Sequence, residues 1–189
     1  MNEHAKTEAG RATYQDVLDA PEHMVAELIR GALHLHPRPA FPHARASSVL
    51  GGRIGGPFDW DEGGPGGWWI IDEPELHLGE DVLVPDVAGW RRERLPVFPT
   101  GPWFDLAPDW VCEVLSPSTR RIDLTDKREI YGAAGVGHLW LVDPLERTLE
   151  VFVLADGAWV LAAALRDDAE VRVPPFEAVG FSLAALWTG

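Results

Sequence analysis

Pro85-Asp86-Val87, Val111-Cys112-Glu113-Val114-Leu115-Ser116-Pro117 and Lys127 are the three pieces of one stretch from which the fold of this chain is read. The first opens an apolar run, the second lies inside another, and the lysine falls in a helical segment. A near-continuous apolar run such as Asp109 to Leu115 reads as a strand buried on both faces. That puts Glu113 in the middle of a sheet, where a carboxylate is costly to bury unless something offsets it. An aspartate and a glutamate on neighbouring strands, with an ammonium nearby, are the minimal set for holding a divalent metal against a phosphodiester and activating a water beside it.

Upstream, Thr13 to Leu18 reads as a short capped helix ended near Pro21. Met24 to Arg30 and Ala32 to His36 read as two strands around Gly31, with Val25, Glu27 and Ile29 on one side of the first, so that Glu27 is shielded. Pro42 to Ile54 carries Ala46, Val49, Leu50 and Ile54 at helical spacing. This helix is expected to fray into the Gly-rich run Gly51 to Gly67, a loop or lid without the Gly-Lys-Ser/Thr ending of a nucleotide cradle. Trp68 to Ile71 starts the sheet, followed by strands over Glu75 to Leu78 and Val82 to Trp90, with Asp86 opening the usable part of the latter after Pro85.

Downstream, Arg91 to Pro108 reads as a long surface loop and Ile122 to Ala134 as a helix with a Gly135 stop. His138 to Val142 is another apolar strand. Leu149 to Leu154 and Ala158 to Ala163 flank Asp156-Gly157, a strong hairpin signal, and a short helix near Ser182 to Trp187 follows. The order predicts an α/β (mixed α+β) fold: a central mixed sheet flanked by helices, with an added N-terminal helix and hairpin and a C-terminal β-hairpin.

At 189 residues the chain is expected to form a flexible N-terminus over 1–12 and a single domain over 13–189, large enough to fold without disulfides. The lone Cys112 inside an apolar run fits a reducing cytoplasm, and no apolar run reaches the length of a membrane span. The net charge of −14 argues against a non-specific nucleic-acid binder, which is expected to be basic. A catalytic metal offsets this locally, and Arg91, Arg92, Arg94, Arg120 and Arg121 are candidates for a basic rim.

Each candidate has a plainer alternative. Glu113 can be held by Arg120 or Arg121 instead of a metal, and Lys127 can form an exposed pair with Asp123 at i, i+4 spacing. Yet Lys127 is one of only two lysines, the other being Lys6, and it shares a helical stripe with Ile130, Tyr131 and Ala134. A zinc hydrolase built on His34, His36 and His43 is a competing reading, without any His-Glu-x-x-His spacing to support it. A nuclease-like fold kept as a non-catalytic binding or regulatory module is another, favoured by the acidic balance. Trp68, Trp69, Trp110 and Trp140 fall in predicted strands and read as core, not as stacking platforms for single strands.

The pattern Pro85-Asp86-Val87, Glu113-Val114-Leu115-Ser116-Pro117-Ser118-Thr119, Asp123, Lys127, Tyr131, Gly135-Val136 and Leu139-Trp140-Leu141-Val142-Asp143-Pro144 resembles the Uma-type restriction endonuclease family of the PD-(D/E)XK nuclease superfamily. The resemblance runs from about Tyr14 to about Val153 and takes in Glu27-Leu28-Ile29-Arg30-Gly31 and His43. It implies a restriction-endonuclease-like core and a magnesium-dependent endonuclease acting on DNA, with manganese as a substitute. Asp86 and Glu113 would bind the metal with the Val114 carbonyl as a further ligand. Because Leu115 occupies the place of the superfamily's usual lysine, Lys127 would supply the ammonium from the following helix. Glu27 would bind a second metal or hold the first one's water. Cutting both strands would suit a homodimer.

Overall fold

The structure, a computed structural model, describes residues 10–37 and 39–188. The expected flexible stretch 1–12 lies outside the described residues up to residue 9, and of its last residues Ala12 donates to Gly31 O at 2.8 Å while Arg11 pairs with Glu80 at 2.9 Å. Helix α1 (Tyr14–Leu18) starts at Thr13, whose N–H and hydroxyl both donate to Asp16 at 2.7 and 2.8 Å, tying down the first turn. Strands β1 (Met24–Ile29) and β2 (Ala32–Pro37) form the expected hairpin, turned by Arg30 and Gly31 at positive φ.

The strand expected over Val82 to Trp90 is two strands. β5 (Asp81–Leu83) belongs to a four-stranded sheet of order β2-β1-β5-β4, in which β4 is Leu76–Leu78. β6 (Val87–Arg91) belongs to a six-stranded sheet of order β10-β9-β8-β7-β6-β3, built with β3 (Trp68–Asp72), β7 (Trp110–Val114), β8 (His138–Asp143), β9 (Thr148–Ala155) and β10 (Ala158–Arg166). Pro85 lacks a ladder donor, so the chain leaves one sheet at Val84 and enters the other after Asp86. Among the described strands of the six-stranded sheet β7 and β8 are the parallel pair, and the helical crossover that such a pair requires is the segment 120–133. The turn at Asp156 and Gly157 has φ of 49° and 76°, the two positive values of a type I′ hairpin.

Helix α2 (Phe41–Phe58) does not fray at its glycines as expected; it runs through Gly51, Gly52, Gly55 and Gly56 to Pro57. Glycine costs about 1 kcal/mol per residue in a helix, and tertiary packing overrides that here. Ala46, Leu50, Ile54 and Phe58 recur every fourth residue and are almost wholly buried against the sheet. A Cβ at Gly51 would stand 2.8 Å from Asp72 Oδ1, so this one glycine lets the Asp72 carboxylate lie against the helix.

Alternation along β7 divides the core. Trp110, Cys112 and Val114 face α2, joined by Trp140, Val142 and Phe176. Val111 and Leu115 face the other way, toward Ile130 and Tyr131 of α4 (Arg128–Ala133) and toward Ile29 and Leu83 of the smaller sheet. Glu113 shares this second face. Among the described residues no helix is long and apolar enough to cross a membrane. Leu50→Ala is expected to cost about 3 kcal/mol in urea unfolding, against less than about 0.5 kcal/mol for Val160→Ala on the exposed side of β10.

Candidate active site

Glu113 sits in the middle of β7, 2 % exposed, between strands on both sides. Neither Arg120 nor Arg121 reaches it; Arg120 pairs with Asp143 instead. Its Oε1 accepts from the Tyr131 hydroxyl at 2.5 Å and from Lys127 Nζ at 2.8 Å. Lys127 is 3 % exposed and also meets Glu27 Oε1 at 3.0 Å and Asp123 Oδ1 at 3.6 Å. The exposed pair with Asp123 is therefore not what forms: both residues are buried, and the ammonium joins three acids from three elements.

The crossover helix delivers Lys127 through a local irregularity. Between α3 (Arg120–Ile122) and α4 the backbone makes a π-helical turn over Asp123–Lys127. A π turn accommodates an extra residue and shifts the phase of the face that follows. The insertion puts Asp123 and Lys127 inward while Ile130 and Tyr131 still reach the core.

Asp86, at the passage between sheets, uses Oδ2 to accept the Val114 N–H at 2.7 Å. It thereby extends the β6–β7 pairing one step beyond Val87 and Cys112. Its Oδ1 lies 3.2 Å from His43 Nε2 in the first turn of α2. Glu27 projects from the buried end of β1, accepting the Val84 N–H at 2.8 Å. His36 Nε2 lies 3.2 Å from Glu27 Oε2. Glu27, Asp86, Glu113, Asp123 and Lys127 all line one cavity of about 290 Å³, with the hydroxyls of Ser116, Ser118 and Thr119 nearby on its wall.

The charges do not balance: four carboxylates share one ammonium. Burial pushes Glu113 well above the usual carboxylate range, with Lys127 opposing and Asp123, Asp86 and Glu27 adding to the rise. Burial also raises Asp123. Glu27 is desolvated too, but Lys127, His36 and the Val84 N–H outweigh that and hold it near 2. Burial opposes the charge on Lys127, yet Glu113 and Glu27 more than compensate and its pKa rises well above the usual value. For His43 burial is likewise overcome, chiefly by Asp86, and its pKa is raised.

Among the described residues no group of three or more His, Cys, Asp or Glu is gathered in metal-ligand geometry. His34 and His36 stack at 6.3 Å, and the zinc reading on His34, His36 and His43 finds no cluster. The carboxylate oxygens of Asp86 and Glu113 nonetheless suit a hard divalent cation in kind, and with four carboxylates against one ammonium the cavity is short of positive charge.

Four of the five arginines expected at a basic rim are stacked on rings or paired with acids, Arg120 with Asp143 among them. Arg91 and Arg92 lie over the rings of Trp68 and Trp69, Arg92 pairs with Asp59 and Arg94 with Asp109. Among the described residues no arginine lines the cavity. Sequence reasoning singled out Asp86, Glu113, Lys127 and Glu27, and missed Tyr131 and His36 as contacts. Tyr131 was legible in principle, four residues beyond Lys127 on the same stripe, whereas His36 depends on strand register.

A raised carboxyl has a defined linkage sign. Glu113 binds its proton more tightly folded than unfolded, so the charge it carries at neutral pH costs stability, and the cost is absent below its unfolded value near 4.5. Glu113→Gln is therefore expected to raise the melting temperature of the metal-free protein at neutral pH. The gain should shrink as pH falls toward about 4.5 and be absent below it, as measured by thermal unfolding across the acid range.

The sequence matches the family model Uma2, described as "Putative restriction endonuclease", over residues 12–186. Among solved structures it is similar to "a putative nuclease belonging to DUF820" from Anabaena variabilis ATCC 29413, with 25% sequence identity, a TM-score of 0.74, and coverage of 93% of this chain and 97% of that one. It matches no curated protein. The solved structure shares the mixed α+β architecture that the two sheets and their helices build here, and the family match spans every element that carries a cavity residue; this chain belongs to the Uma2 family.

Proposed function

We propose that this protein is a metal-dependent DNA endonuclease whose cavity between the two sheets is its active site. The observation that carries the reading is the 2.8 Å contact of Lys127 Nζ with Glu113 Oε1 inside a cavity that Asp86 also lines. Asp86 and Glu113, with the Val114 carbonyl, would hold magnesium or manganese. The cation would supply Lewis-acid polarisation of the phosphate and lower the pKa of a bound water.

The chain's own groups do the rest. Lys127, charged far above neutral pH, donates to the attacking water and stabilises charge that develops on the phosphate. Glu27, 3.0 Å from Lys127 Nζ, holds the ammonium in place, a positioning role in preference to that of a second metal ligand. Asp86 is itself fixed by the Val114 N–H. The Ser116, Ser118 and Thr119 hydroxyls are suited to the phosphate backbone next to the scissile bond. With a chain charge of −14, binding to DNA relies on the cation and weakens steeply with salt. Residues 13–189 act as one domain in this reading, and the buried Cys112 thiol fits the cytoplasm.

The test is cleavage of single-stranded, duplex and branched DNA with magnesium or manganese, beside calorimetric titration of the metal. Cleavage is expected, with Glu113→Gln and Lys127→Met each lowering kcat on the order of a hundredfold or more. Lys127→Met is also expected to unfold more readily at neutral pH, because it leaves buried acids unpaired. No cleavage of any substrate, with metal binding retained, would replace the endonuclease reading with that of a non-catalytic binding module.

A further inference from the structure

The cavity between the sheets carries two kinds of surface. Its inner end is charged: Glu113 and Lys127 are 2% and 3% exposed, so a reacting phosphate has to descend to them. Val25, Pro37, Pro39, Ala40, Val84 and Pro117 give it an apolar wall. Among the described residues Lys127 is the only lysine or arginine that lines it.

A paired strand is poorly matched to this lining. In a duplex the bases are stacked inside and the phosphodiester is what meets the protein, and a charged backbone laid against proline and valine loses water without gaining a partner. Duplex DNA also carries one negative charge for about every 1.7 Å of its axis, against about 3.4 Å for one of its strands. The denser charge would fall on a chain of net charge −14. An unpaired nucleotide instead offers the face of its base to the apolar wall and a single phosphate to the acids and their cation.

A side chain beside the cavity fits the same division. Phe41 is 92% exposed, more than any other large apolar side chain among the described residues, and it belongs to neither core. It is the first residue of α2, next to Ala40 and two residues before His43, both of which line the cavity. A bare ring is a platform on which any base stacks, contributing on the order of tenfold in affinity without positive charge. Trp60, also exposed, lies past the opposite end of a helix about 27 Å long.

We propose, on the reading that this cavity is an endonuclease site, that its substrate is an unpaired DNA strand: one nucleotide enters the cavity while Phe41 stacks on the base beside it. Stacking then supplies affinity that an acidic protein cannot draw from a basic surface.

The experiment measures binding and cleavage separately. Fluorescence anisotropy follows a labelled oligothymidylate and a blunt-ended duplex on the full chain, with calcium in place of magnesium. The single strand is expected to bind on the order of tenfold or more tightly than the duplex. Phe41→Ala should erase most of that preference, Phe41→Trp should keep it and Trp60→Ala should leave it unchanged. In magnesium, Phe41→Ala should raise KM for the oligothymidylate with little change in kcat. Strand preference that depends on Phe41, without cleavage, would remove the endonuclease reading and support the unpaired strand as ligand. Equal or tighter binding of duplex, binding of neither, or a loss in Phe41→Ala no greater than in Trp60→Ala would overturn it, even where duplex is cut.

Discussion

The ammonium of Lys127, enclosed between Glu113 and Glu27 and flanked by Asp123, is the interaction on which the rest of the site depends. Each acid comes from a different part of the fold: a strand of the larger sheet, a strand of the smaller sheet, and the helix that crosses between parallel strands. A buried acid with no counter-charge is among the most costly features a core can hold, and a buried pair survives only with good geometry and further hydrogen bonds. The Tyr131 hydroxyl on Glu113 and the Val84 N–H on Glu27 supply those bonds. The lysine thus ties together the structural layers while leaving the cluster short of positive charge.

That shortage links stability to chemistry. A site satisfied by its own protein would have no use for a cation, whereas this one keeps Glu113 and Asp123 inclined to hold protons. The strain is confined by the fold. The chain switches sheets at Val84-Pro85-Asp86, setting Asp86 at a corner where its carboxylate can reach the last amide of β7, and a π-helical turn rotates Asp123 and Lys127 inward. Both are interruptions of regular structure, and both coincide with residues of the cavity.

The arginines tell the complementary story. Several stack on aromatic faces or pair with largely buried acids, and among the described residues no guanidinium lines the cavity. In a strongly acidic protein of the Uma2 family the charge most available to a polyanion is not a broad basic surface.

Local patterns in the sequence were enough to determine most elements: the capped first helix, the hairpin at Asp156-Gly157, the apolar strand around Glu113, and the helical segment that carries Lys127 and Tyr131. These signals are short-ranged, set by periodicity, capping and turn stereochemistry. The continuation of α2 through four glycines, the division of the 82–90 run between two sheets and the π-helical turn at Asp123 were decided by tertiary packing, because each depends on what lies against the segment and not on the segment itself. So too was the gathering of Glu27 with Glu113 around one ammonium. Residues far apart in the chain meet only when β1 and β7 are brought together by the core they bury, and no spacing along the sequence encodes the distance between them.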